Sequence, residues 1–129
     1  MEFLLITTDS LLRDQLKVGL QQFPEFGITC GESFPGINMV RTMDFDLVFM
    51  EIGSNSPENL TLVNLLRSFD TNTEVVALAD DQVIKDLSPH KQKHGITAFL
   101  SIPLNVTEFF RLISRMRARR EEADTAPTR

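Results

Sequence analysis

The sequence predicts an α/β domain: an open parallel sheet with helices packed on both faces. Three observations lead there. Five short apolar runs alternate with longer amphipathic segments along 129 residues. The run "DLVFM" (Asp46 to Met50) is continuously apolar after its first residue, as expected of a central parallel strand covered on both sides. The intervening segments place apolar residues three or four apart, the spacing of a helix with one buried face. Strands and helices in strict alternation point to parallel strands joined by helical crossovers.

The elements follow in order. "FLLI" (Phe3 to Ile6) reads as the first strand. "SLLRDQLKVGLQQF" reads as a helix whose Leu12, Leu16, Leu20 and Phe23 share a face, ended by Pro24 and Gly27. "ITC" (Ile28 to Cys30) is a short second strand and "GINMVRTM" a short second helix. The third strand is Asp46 to Met50. Ser56-Pro57-Glu58 reads as a helix start, with a capping hydroxyl, a Pro at the first helical position and an acid at the positive helix end. That helix is expected to run to about Phe69. "EVVALA" (Glu74 to Ala79) is the fourth strand. Asp80 or Asp81 caps a helical region to His94, kinked or split at Pro89 and stopped by Gly95. "AFLSI" (Ala98 to Ile102) is the fifth strand, and Asn105 with Glu108 resembles a capping box for a last helix to about Arg119. Val106, Phe109 or Phe110, Ile113 and Met116 form the expected core stripe of that helix, with Leu112 off-centre.

The length fits one domain over residues 1–119, with 120–129 as a polar tail or linker. Hydrophobic content of 42% and charged content of 24% are ordinary for a globular protein. The net charge of −5 argues against direct nucleic-acid binding, which relies on clustered cations. The basic run "RLISRMRARR" is read as cations placed at a helix C-terminus. No apolar run approaches the roughly 18 residues of a membrane span. The start "MEFLLITTDS" has no basic segment and too short an apolar run for a signal peptide. Cys30 is the single cysteine, so no disulfide framework or zinc spacing exists. A cytoplasmic protein is the expectation. His90 and His94 have a metal-like spacing but lack an evident third ligand.

In open parallel sheets, ligands sit beyond the carboxyl ends of the strands. The residues there are Thr7-Thr8-Asp9, Glu51, Ala79-Asp80 and Ile102-Pro103. No Gly-rich phosphate loop and no nucleophile with an adjacent base is evident, so the chain is not expected to be an enzyme.

Four pieces, "LLITTDSLLRDQL", "FDLVFMEI", "EVVALAD" and "KHGITAFLSIPLNVTEFFRLI", together resemble the receiver domains of bacterial response regulators from about Glu2 to Met116. The resemblance implies a flavodoxin-like (βα)5 fold, doubly wound, with five parallel strands in the order 2-1-3-4-5. It also locates a phosphorylation site. The family's acidic pair falls on Thr7 and Thr8, its phosphorylated Asp on Glu51, its hydroxyl on Ala79 and its Lys on Ile102. Pro103, after a cis peptide bond, and the aromatic switch position, Phe99, match the family pattern.

The aligned positions are unsuited to the family's chemistry. Phosphoryl transfer depends on positioning and on charge stabilisation by a metal and fixed donors. Mg²⁺ needs hard oxygen ligands, normally the two acids. Glu51 is one methylene longer than Asp, and a misplacement of about 1 Å can cost roughly 100-fold. The expectation is a pseudo-receiver: a phosphorylation-independent protein-interaction module in bacterial signal transduction, without catalysis or cofactor. The alternative is an atypical receiver that still switches through an unconventional ligand or cation. Glu51 keeps three readings: a mimic of phosphorylated Asp, a solvated or hydrogen-bonded carboxylate, or one ligand of a cation site with Asp9 and Asp80. Phe99 is either a switch or a static core ring. The resemblance implies a protein partner, a fused output domain or a homodimer at the face of the fourth helix, fifth strand and fifth helix. Leu112, Phe109 and Met116 are the expected contact residues. Thr97 and Ala98 stand where a symmetric-dimer subfamily carries acids.

Overall fold

A computed structural model of the chain describes residues 2–53 and 59–125. The strands are β1 (Glu2–Ile6), β2 (Gly27–Gly31), β3 (Leu47–Gly53), β4 (Glu74–Ala79) and β5 (Ala98–Ser101). The helices are α1 (Ser10–Leu20), α2 (Ser33–Thr42), α3 (Asn59–Arg67), α4 (Asp81–Leu87) and α5 (Val106–Thr125). The strands form one sheet in the order β2-β1-β3-β4-β5, and every pairing is parallel. The flavodoxin-like architecture and strand order therefore agree with the sequence reading. The proposed start at Ser56-Pro57-Glu58 lies outside the described residues.

Strand alternation divides the core into two layers. Phe3, Leu5, Leu47, Phe49, Val76, Leu78 and Leu100 face one side, where α1 and α5 cover them. Leu4, Ile6, Val48, Met50, Val75, Ala77 and Ala79 face the other, beneath Ile37 of α2 and Val63 and Leu66 of α3. The central strands are buried on both faces, which is why their sequences run apolar without alternation.

Capping sets where the helices begin. Asp9 accepts from the N–H groups of Leu11 and Leu12, and Asp80 from Val83. Asn105 accepts from the Glu108 N–H, but the Glu108 carboxylate takes a bond from Ser101 Oγ, so this end departs from the reciprocal capping box. Pro89 splits the fourth helical region: α4 ends at Leu87 and a 3-10 turn spans Ser88–His90. The last helix continues to Thr125, past the expected stop near Arg119 and through much of the segment read as a polar tail.

The α5 stripe also differs from expectation. Phe109, Leu112, Ile113 and Met116 are all buried, whereas Val106 is 59% exposed. Leu112 sits three residues after Phe109 and four before Met116, which places it over the core. Val106, in the first turn, lies at the margin of that face.

Arg67 ties two loops together, a role the sequence did not signal. Its guanidinium donates from Nε and Nη2 to the Gly95 carbonyl and from Nη1 to the Asp70 carbonyl. Gly95 has φ 70°, a left-handed backbone. A Cβ there would lie 2.6 Å from Arg67 Nε. Gly95→Ala is expected to cost about 2 kcal/mol, from the left-handed backbone and the crowded guanidinium. A urea midpoint indistinguishable from that of the natural chain would show that this turn is not strained by a methyl group.

Candidate functional site

The carboxyl ends of β1 and β3 meet at the switch point of the strand order, with β2 on one side and β4 and β5 on the other. The β1–β3 register aligns Ile6 with Met50, which sets Thr7 beside Glu51. The Thr7 backbone N–H continues the pairing with β2 by donating to the Gly31 carbonyl. Thr7 is only 5% exposed. Its hydroxyl donates to Glu51 Oε1 at 3.0 Å and accepts from the Asp9 backbone N–H at 3.0 Å. The carboxylate is half-buried. A register irregularity between β3 and β4 falls between Glu51 and Gly53, with Ile52 buried beside it. Such bulges change where neighbouring side chains aim.

The other aligned positions are apolar or turned to solvent. Thr8 is exposed. Ala79 is fully buried in the layer beneath α2 and α3. Ile102 is half-buried against the layer covered by α1 and α5. Phe99 is half-buried against the opposite layer. Pro103 is exposed, and the Ile102–Pro103 bond is cis, as the resemblance implies.

Asp9, Glu51 and Asp80 are not assembled into a ligand set. Asp9 and Asp80 cap α1 and α4, and Glu51 accepts from Thr7. Among the described residues, no three His, Cys, Asp or Glu side chains are grouped to hold a metal ion. The cation-site reading of these three residues is corrected accordingly: helix starts draw two of the carboxylates to backbone N–H groups.

The expected contact residues also need correction. Phe109, Leu112 and Met116 are 1%, 5% and 3% exposed, so they belong to the core. Leu112 and Met116 contribute to the lining of a groove of about 480 Å³ beside β5, to which Glu74, Lys91, Arg115 and Arg119 also contribute. Two cations of the basic run form ion pairs: Arg119 with Glu74 at 3.3 Å and Arg117 with Glu25 at 3.0 Å. Among the described residues, no helix is long and apolar enough to cross a membrane.

The five-stranded parallel sheet, its strand order and its flanking helices define the flavodoxin-like fold, on which receiver domains are built. No family model matches the chain. Solved structures of similar shape include the signal receiver domain of an HD domain-containing protein from Pseudomonas fluorescens Pf-5 (TM-score 0.76, 17% identity, 96% of this chain and 92% of that one). Another is a two-component response regulator from Clostridium difficile (TM-score 0.72, 22% identity, 92% and 97%). Among curated proteins, the chain is 26% identical over 98 residues to Transcription factor SKN7 of Candida albicans. That alignment covers 72% of this chain and 17% of the relative's length.

Proposed function

We propose that this chain is a pseudo-receiver, a phosphorylation-independent protein-interaction module in signal transduction. The observation that carries the reading is the Thr7–Glu51 hydrogen bond. At the strand ends where receivers assemble acids around a metal, a neutral hydroxyl engages a single carboxylate. Two further positions there, Ala79 and Ile102, offer hydrocarbon. Replacing buried charge by packed hydrocarbon is often neutral or stabilising, so the substitutions are mutually compatible. Glu51 fits best as a hydrogen-bonded carboxylate. The chain has no catalytic role in this reading. Its partner is a separate protein, a fused output domain or a second copy. The similarity to part of a protein named a transcription factor supports a module coupled to an output domain. The groove between α5 and β5, lined by Glu74, Lys91 and Arg115 among others, is the proposed contact surface.

Incubation with acetyl phosphate and Mg²⁺, read by intact mass, tests the proposal. Neither the natural chain nor Glu51→Asp is expected to gain a phosphoryl group. Groups that act as a unit in catalysis are strongly non-additive, so restoring the nucleophile alone achieves little. Stoichiometric addition to either protein would overturn the pseudo-receiver reading.

A further inference from the structure

At the opposite end of the sheet, the end of α3 and the turn before β5 border a pocket of about 610 Å³. Three basic side chains line it, Arg67, Lys93 and His94, and among the described residues no Asp or Glu does. The chain as a whole carries −5, so a pocket lined by bases without acids runs against its average charge. Asn64, Thr71 and Gln92 add neutral hydrogen-bonding groups.

Two nearby features would oppose an anion: the first is blunted, and the second, an ionised carboxylate, lies outside the pocket lining. The first is the negative end of α3. Its last carbonyls are already occupied: Asn64 accepts from the Ser68 N–H, Leu65 from the Ser68 hydroxyl, and Leu66 from the Asp70 N–H. The second is Asp70. Its carboxylate accepts from the N–H groups of Asn72 and Thr73 and from the Thr73 hydroxyl. Burial alone would raise the Asp70 pKa, but the Thr73 and Asn72 hydrogen bonds and the Arg67 charge bring it below the usual value.

Arg67 is held in place by three hydrogen bonds to carbonyl groups. A guanidinium has five N–H donors, so those bonds leave two over. Burial lowers its pKa, with the Asp70 charge acting in the other direction, yet an arginine stays protonated at neutral pH. A partly desolvated fixed cation attracts an anion more strongly than a solvated one.

We propose that this pocket binds a small anion carrying a phosphate-type group, with Arg67 as the fixed cation, Lys93 as a second cation and the His94 ring as a hydrogen-bonding partner. The proposal does not depend on the pseudo-receiver reading. The test is an amide NMR titration of the full chain at constant ionic strength, with inorganic phosphate, AMP and adenosine as probes. Saturable shifts at Gln92 to Thr97 are expected with phosphate or AMP, and none with adenosine. Tighter binding of AMP assigns a phosphate monoester, and equal binding assigns the free ion. The double substitution Lys93→Gln and His94→Gln is expected to weaken binding at least about tenfold, a change of roughly 1.4 kcal/mol. Lys85→Gln, on α4 and outside the pocket lining, is expected to leave it unchanged. Absence of saturable shifts with both phosphate and AMP overturns the proposal, as does binding that the double substitution leaves intact.

Discussion

Phe109→Ala is expected to destabilise the domain by about 3–5 kcal/mol, a large part of the roughly 5–15 kcal/mol that holds a domain folded. The ring is 1% exposed. It lies 6.1 Å from the Phe49 ring and 5.8 Å from the Phe110 ring. One of its edge carbons is 2.9 Å from where a Cβ on Gly19 would sit, so α1 and α5 approach closely at this point. Truncation leaves a cavity between two helices that cannot fully collapse. The thermal midpoint is expected to fall by roughly 10 °C or more. Leu112→Arg, a substitution suited to an exposed position, is also expected to lower it. Its guanidinium would escape toward a groove that already holds Lys91 and Arg115. Calorimetry of both variants checks the α5 register. A midpoint unchanged by Leu112→Arg would mean that this side chain does not pack on the core.

Thr7→Asp, with Glu51 retained, is expected to cost about 2–3 kcal/mol at pH 7. The change replaces a donor 3.0 Å from the carboxylate with a second carboxylate. Two such groups cannot both ionise cheaply, so the pair's folded-state pKa rises. The sign follows from linkage. A carboxyl pKa raised in the folded state costs nothing below the unfolded value, near ~4, and its full penalty is present above the raised value. Relative to the natural chain, the variant is therefore expected to regain stability as pH falls from 7 to 4. Urea unfolding at both pH values measures this. An equal deficit at the two values would show that the new carboxylate and Glu51 are not in contact.

Much of the fold is legible because it depends on local chemistry. "DLVFM" and "EVVALA" can be recognised as central strands from composition alone, and Asp9 and Asp80 stand directly before helices that need their first N–H groups satisfied. The site is less legible. Thr7 and Glu51 are 44 residues apart, and only the parallel register of β1 with β3 brings them together. Arg67 was invisible for the same reason, since its acceptor at Gly95 is 28 residues away. Leu112 differs for another reason. A stripe drawn through Val106 sets it off-centre, whereas the helix buries Leu112 with Phe109, Ile113 and Met116 and leaves Val106 exposed.

The aromatic rings have a spectroscopic consequence. Phe3 meets Phe26 and Phe49, Phe49 meets Phe109, and Phe109 meets Phe110, which meets Phe23. This connected series runs from the sheet to the partly buried margin of the layer, which also holds Leu12, Leu16 and Leu20. With no Trp or Tyr in the chain, indole and phenol fluorescence cannot report on packing. Ring currents can. Leucine and isoleucine methyl groups lying over these faces will resonate upfield of their random-coil positions, and their dispersion will collapse when the layer loosens. The methyl region of a proton spectrum is therefore the natural gauge of whether any variant of this domain keeps its interior intact.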